Sequence, residues 1–229
     1  MHKRSIKNVR QGRLIAYQDS KSPITERYRS IRTNLEYAQI DKKFQRIVIT
    51  SANPSEGKST TISNLAVTYA QQGKRTILID ADLRKPNLHK IFGVQNTNGL
   101  TDVLMKKLDT RDAAREIRGI DGLFLMSAGF TPVHPAELLA SHAMHQLIND
   151  LSKDYDIILI DTPPVLVATD AQIVSSICEA VLLVIKSGTT ERKDLLDAKR
   201  KLEHVNANLV GAVLNQMADK KDNSYYQYK

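Results

Sequence analysis

A chain of 229 residues with 41% apolar and 25% charged side chains is long enough to bury a sizeable core and is composed like an ordinary globular domain. The net charge of +8 is spread along it, with a mild excess in the first 13 residues and no aromatic side chains interleaved with a basic run, so no nucleic-acid partner is expected. The longest purely apolar stretch, Ala180-Val181-Leu182-Leu183-Val184-Ile185, falls far short of the ~20 residues of a membrane span. The basic start, Met1-His2-Lys3-Arg4-Ser5, is followed by no apolar region of the kind a signal peptide needs. The single cysteine, Cys178, beside a strand-like run, reads as a small buried hydrophobe and fits a reducing cytoplasm.

In chain order, residues 1–21 are polar and without period, which predicts a mobile N-terminal arm. Ser22-Pro23 then supplies a helix N-cap and first-turn proline. From there Ile24, Tyr28, Ile31, Leu35 and Ala38 recur at helical spacing. Arg46–Ser51 is rich in β-branched residues and reads as a strand. A glycine-containing loop follows, and then a helix from about Ser59 to Gln72 closed by Gly73. Further strands are expected at Thr76–Asp80, Ile157–Asp161, Ala180–Lys186 and Asn208–Leu214, with helices between them including Pro135–Leu151 and Glu191–Val205. These strands are continuous apolar runs, so both their faces are buried. That predicts one α/β domain: a doubly wound, mostly parallel sheet with helices on both faces. It spans residues 22–217, and residues 218–229 form a polar, tyrosine-rich tail.

The loop between the first strand and its helix is Ser51-Ala52-Asn53-Pro54-Ser55-Glu56-Gly57-Lys58-Ser59-Thr60. A P-loop wraps phosphates in backbone N–H groups and feeds a helix whose N-terminus favours negative charge. Ser55, Glu56, Gly57, Lys58, Ser59 and Thr60 are therefore candidates to hold ATP. Lys58 would reach the β- and γ-phosphates and the Ser59 hydroxyl would reach Mg²⁺. The strict pattern has glycine where Ala52 stands, and many related loops carry glycine at the position of Ser55. Two further strands end in carboxylates: Asp80 with Asp82, and Asp161, which Thr162-Pro163-Pro164 follows. In an open parallel sheet such strand ends line the ligand crevice. Three carboxylates facing phosphates need a cation between them, and Mg²⁺ suits their oxygens.

Asn53–Thr60, then Leu78-Ile79-Asp80-Ala81-Asp82-Leu83-Arg84-Lys85-Pro86, then Leu159-Ile160-Asp161-Thr162-Pro163-Pro164 resemble the three Walker-type motifs of bacterial tyrosine kinases, over nearly the whole chain. The resemblance implies an ATP- and Mg²⁺-dependent kinase in which Lys58 holds ATP and Ser59, Asp82 and Asp161 hold Mg²⁺. Asp80 would accept or orient the proton of the incoming tyrosine hydroxyl, and Arg84 would neutralise phosphate charge or dock the acceptor. Asn215, after the last strand, would meet the adenine edge. Tyr225, Tyr226 and Tyr228 resemble the family's terminal tyrosine cluster and would be the phosphoacceptors. Glu26-x-x-Arg29-x-x-Arg32 is similar to its oligomerisation motif, which implies a homo-oligomer built through the N-terminal helix; a solvated helix face is the plainer reading of the same stripe.

The implied setting is capsular or exopolysaccharide synthesis. There a transmembrane adaptor would activate the cytoplasmic kinase and recruit it to the inner face of the membrane, and a phosphotyrosine phosphatase would reverse the modification. Two alternatives stand beside this one. A partitioning- or cell-division-type ATPase shares the fold but carries a second lysine where this chain has Asn53. A nucleotide-gated scaffold would bind ATP and transfer nothing.

Overall fold

The computed structural model describes residues 14–38 and 43–217. Seven strands form one sheet: β1 (Arg46–Ser51), β2 (Thr76–Asp80), β3 (Ala114–Glu116), β4 (Leu123–Met126), β5 (Ile157–Asp161), β6 (Ala180–Lys186) and β7 (Leu209–Asn215), in the order β3-β4-β2-β5-β1-β6-β7. Every neighbouring pair is parallel except β3 with β4. The helices are α1 (Ile15–Gln18), α2 (Pro23–Tyr37), α3 (Lys58–Gln71), α4 (Leu88–Phe92), α5 (Leu100–Leu104), α6 (Thr110–Ala113), α7 (Pro135–Leu139), α8 (His142–Asp154), α9 (Asp170–Ser175) and α10 (Arg192–His204).

The central strands β1, β2 and β5 are buried at almost every residue. Alternate side chains feed two apolar clusters, one on each face. Val48, Ile77, Ile79, Ile158 and Ile160 belong to one; Ile47, Ile49, Leu78 and Leu159 join α3 in the other. This is the doubly wound α/β fold that the continuous apolar runs predict. Chain order reverses around β1, which lies between β5 and β6, so a crevice opens at the carboxyl ends of these strands.

The structure departs from the expectations in four places. Residues 14–18, expected within the arm, form a packed turn: Leu14 and Ala16 are fully buried, the Ala16 amide donates to Asn64 Oδ1 at 2.9 Å, and Gln71 Nε2 donates to the Ala16 carbonyl at 2.8 Å. An apolar pair against an interior helix outweighs the polar character of its neighbours. The expected helix Pro135–Leu151 is two helices, because Ser141 caps α8 by accepting the Met144 amide. Strands β3 and β4 were not expected. Finally, the inward stripe of α2 is shifted: Thr25 and Leu35 are buried and Ile24 is 47% exposed. Thr25 can point inward because its hydroxyl donates to the Asp19 carbonyl at 2.7 Å. Cys178 packs at the edge of one core cluster, and burial raises its thiol pKa well above the usual range.

Candidate active site

The register of the sheet assembles the site. Asp80 pairs with Asp161 across β2 and β5, and Asp161 pairs with Ile49 of β1. Two strand-end carboxylates thus sit side by side, next to the loop that leaves β1 at Ser51. Within that loop Ser55 has φ +64° and Gly57 has φ +96°. The left-handed turn at Ser55 explains why glycine suits that position in related loops. At Gly57 the φ strains any side chain, and a Cβ there would lie 2.0 Å from Asn215 Nδ2, so the Asn215 amide would have to move off the loop. α3 begins at the next residue, so its free N–H groups face the crevice.

Lys58 is the centre of the charge arrangement. Its ammonium lies 3.0 Å from Asp82 Oδ2, 3.6 Å from Asp161 Oδ1 and 3.3 Å from Ser59 Oγ. Burial pulls its pKa down, but Asp161, Asp82 and Asp80 outweigh burial and leave it raised. The Ser59 hydroxyl donates to Asp161 Oδ2 at 2.6 Å. Burial, opposed by Lys58 and Ser59, raises the Asp161 carboxyl, and its Oδ1 has no hydrogen-bond partner. Asp82 Oδ1 accepts the Lys85 amide at 3.0 Å.

Asp80 is fully buried, and its Oδ2 accepts the backbone amides of Asn87 and Leu88, both at 3.0 Å, which fixes the start of α4. Burial and the Asp161 charge push its carboxyl up to about 8, and Oδ1 is unpartnered. The same burial that leaves Oδ1 without a partner disfavours the charged form of this carboxyl.

Magnesium fits this donor set. Ser59 Oγ, Asp82 and Asp161 offer hard oxygens around one cation, Lys58, which already occupies the place of positive charge. Among the described residues no group of three or more His, Cys, Asp or Glu side chains is placed to hold a metal alone.

Other expected residues are placed differently. The Arg84 guanidinium is bidentate to the fully buried Asp170, with Nε 2.9 Å from Oδ2 and Nη2 3.0 Å from Oδ1, so it is engaged in holding α9. Arg84→Ala strands a buried carboxylate and is expected to lower stability by about 1–3 kcal/mol. Arg84→Lys cannot reproduce the fork and should recover only part of that loss; chemical denaturation of the three proteins measures both. Asn215 Nδ2 donates to the Glu56 carbonyl at 2.9 Å, so its amide lies on the loop. Thr60 lies half-buried in the first turn of α3.

In the charged stripe of α2, Glu26 and Arg29 pair with each other at the surface. Arg32 instead turns inward, and its Nη1 donates to the Thr68 carbonyl at 2.7 Å. Tyr225, Tyr226 and Tyr228 lie outside the described residues. Asp170, Thr190 and Asp194 also touch this region, through Arg84, Glu56 and Asn53, and no motif in the sequence marks them. A cavity of about 710 Å³ opens at the opposite end of the sheet, beneath the amino ends of β1 and β2, lined by Lys43, Tyr69, Lys74, Arg75 and Asp156 among others. It contains none of the strand-end carboxylates.

A phosphate-binding loop, a buried lysine and strand-end aspartates on a parallel sheet define a P-loop nucleotide-binding protein. The family model described as an AAA domain matches residues 44–209. The tyrosine-protein kinase YwqD of Bacillus subtilis is 44% identical over 95% of this chain and 92% of its own length. The putative tyrosine-protein kinase CapB of Staphylococcus aureus is 38% identical over 94% of each chain. The crystal structure of the chimerical protein CapA2B2 superposes with a TM-score of 0.88 at 38% identity, covering 92% of each chain. The chain belongs to the bacterial tyrosine-protein kinases, the enzyme class its motifs imply.

Proposed function

We propose that this protein transfers the γ-phosphate of ATP to tyrosine, with Mg²⁺, and that its own Tyr225, Tyr226 and Tyr228 are acceptors. The observation that carries the reading is the convergence of Lys58, Ser59, Asp82 and Asp161 within hydrogen-bonding or ion-pair reach of one another, with the unpartnered Asp80 Oδ1 one strand away. The loop amides and Lys58 hold the β- and γ-phosphates. Ser59, Asp82 and Asp161 hold Mg²⁺, which when bound neutralises charge on the phosphates during transfer. Lys58 then gives up part of its pairing with the carboxylates and turns to phosphate oxygen. Asp80 takes the proton of the tyrosine hydroxyl. Since phosphoryl transfer has a loose transition state, positioning and charge neutralisation outweigh basicity.

Membership of this family is the ground for proposing a polysaccharide setting, and the motif resemblance is the ground for its partners: a transmembrane adaptor that activates and recruits the kinase, a homo-oligomer through α2, and a phosphatase. Among the described residues no helix is long and apolar enough to cross a membrane; the adaptor would place the kinase at the inner face of the membrane. Because Arg32 is held by its own chain, Glu26 and Arg29 are the members of the α2 stripe available to a neighbouring subunit.

The test is purified protein with ATP and Mg²⁺, blotted for phosphotyrosine, with and without the adaptor's cytoplasmic segment. Wild type should label weakly alone and markedly more with the segment, and a Tyr225/Tyr226/Tyr228→Phe triple variant should lose most of the signal. ATP hydrolysis with no phosphotyrosine under either condition would favour an ATPase. Binding with neither hydrolysis nor transfer would favour a scaffold. Undiminished labelling of the triple variant would move the acceptors elsewhere.

A further inference from the structure

The phosphate loop carries a negative side chain, Glu56, in the place where a triphosphate should be bound, and the structure shows where that charge goes. Glu56 is 3% exposed. Its Oε2 accepts the Asn53 amide at 3.1 Å, closing the loop on itself, and its Oε1 accepts the Thr190 hydroxyl. The Thr190 Oγ1 in turn accepts the Lys186 amide at 3.0 Å, so both of its hydrogen-bonding functions go to protein groups. Two more bonds run between the same pieces. Asn53 Nδ2 donates to Asp194 Oδ2 of α10 at 2.6 Å, and Asn215 Nδ2, at the end of β7, donates to the Glu56 carbonyl at 2.9 Å. The loop is thereby fastened at three points to the β6–α10 connection, to α10 and to β7.

A loop with left-handed residues at 55 and 57 is held in a sparsely populated backbone shape only when its surroundings over-determine it. If it were free to relax, its amides would have to be re-ordered each time a nucleotide bound, and that ordering would subtract from affinity. We propose that Glu56 and Thr190 form a buried strut that pre-shapes the phosphate loop, which makes Thr190 a positioning residue for nucleotide binding although it belongs to a different connection. The inference rests on the reading of residues 51–60 as the ATP loop. A strut of this kind acts equally on the ground state and the transition state, because the phosphates are cradled in both. Its loss should therefore raise KM for ATP and leave kcat nearly unchanged.

The experiment uses the full chain with the adaptor segment and measures ATP affinity by calorimetry together with KM and kcat for ATP. Thr190→Val keeps the volume and removes the hydroxyl. It should weaken ATP binding by about tenfold, the scale of one lost buried hydrogen bond, with a matching rise in KM. Thr190→Ser restores the hydroxyl and should recover most of the affinity. Glu56→Ala should weaken binding at least as much, and the Glu56→Ala/Thr190→Val pair clearly less than the sum of the two, because the substitutions share the Glu56–Thr190 bond although each also loses one of its own. Melting without nucleotide, together with the folding of Thr190→Ser, reports that the variants are intact.

Wild-type affinity in Thr190→Val, a fall in kcat with KM unchanged, no recovery in Thr190→Ser, or additive losses in the double variant would each overturn the strut. Should the wild type itself bind no ATP, the reading of the loop fails and the strut with it. If the wild type binds and Thr190→Val binds equally well, only the strut fails.

Discussion

Replacing Lys58 by methionine is expected to reduce phosphotyrosine formation by at least about a hundredfold, the scale on which a preorganised charge contact to the transferring group contributes. It should also destabilise the nucleotide-free protein. From the sequence, Lys58 is expected to reach the β- and γ-phosphates, with no structural partner. The structure places the Lys58 side chain at 12% exposure between Asp82 and the fully buried Asp161. Methionine fills the space but leaves two carboxylates facing each other without a cation. Removing one partner of a buried pair costs about 3–5 kcal/mol, and Ser59 still donating to Asp161 puts this case toward the lower end. A melting curve in EDTA should fall, and Mg²⁺ should raise it more in Lys58→Met than in wild type, since the metal then supplies the missing charge. Autophosphorylation retained at the wild-type rate, with nucleotide still bound, would mean the phosphates lie elsewhere.

The parts of this fold legible in the sequence were those whose burial leaves an unbroken apolar run. β1, β2, β5, β6 and β7 stand within a residue of where the runs place them. β4, Leu123-Phe124-Leu125-Met126, carries no distinct strand signal because four residues without a β-branched side chain look the same in a strand as in a short helix. β3 has three residues, half-exposed or exposed at the sheet edge, and carries no periodic signal at all. The site divides along a similar line. Lys58, Ser59, Asp82 and Asp161 meet because they sit at the ends of adjacent strands, and strand order follows from the P-loop fold. The contacts that employ Arg84 and Asn215 could not be foreseen, since their partners, Asp170 and the Glu56 carbonyl, are 86 and 159 residues away. Without nucleotide, each side chain pairs with a nearby group that has an unmet hydrogen bond. The same rule draws Arg32 from the α2 surface to the Thr68 carbonyl.

Asp80→Asn is expected to separate chemistry from anchoring. In wild type one carboxylate oxygen holds the amides of Asn87 and Leu88, and the other is buried without a partner. Asparagine can keep the first arrangement, with its carbonyl oxygen accepting both amides, while its NH₂ takes the place of the free oxygen. The start of α4 then stays fixed, but the group in place of the buried, unpartnered oxygen can no longer accept a proton. Transfer should fall by about 10²–10⁴, the usual contribution of a general base, while KM for ATP and the melting temperature remain close to wild type. Asp80→Ala removes the anchor as well. It should lose activity to the same extent and in addition about 1–3 kcal/mol of stability, because two buried amides go unsatisfied. The comparison is decisive in both directions. If Asp80→Asn loses ATP affinity in proportion to activity, Asp80 acts on the nucleotide or its metal and the base lies elsewhere. If Asp80→Asn keeps its kcat while Asp80→Ala is slow and unstable, the carboxylate serves only to hold α4, and positioning alone suffices for the transfer.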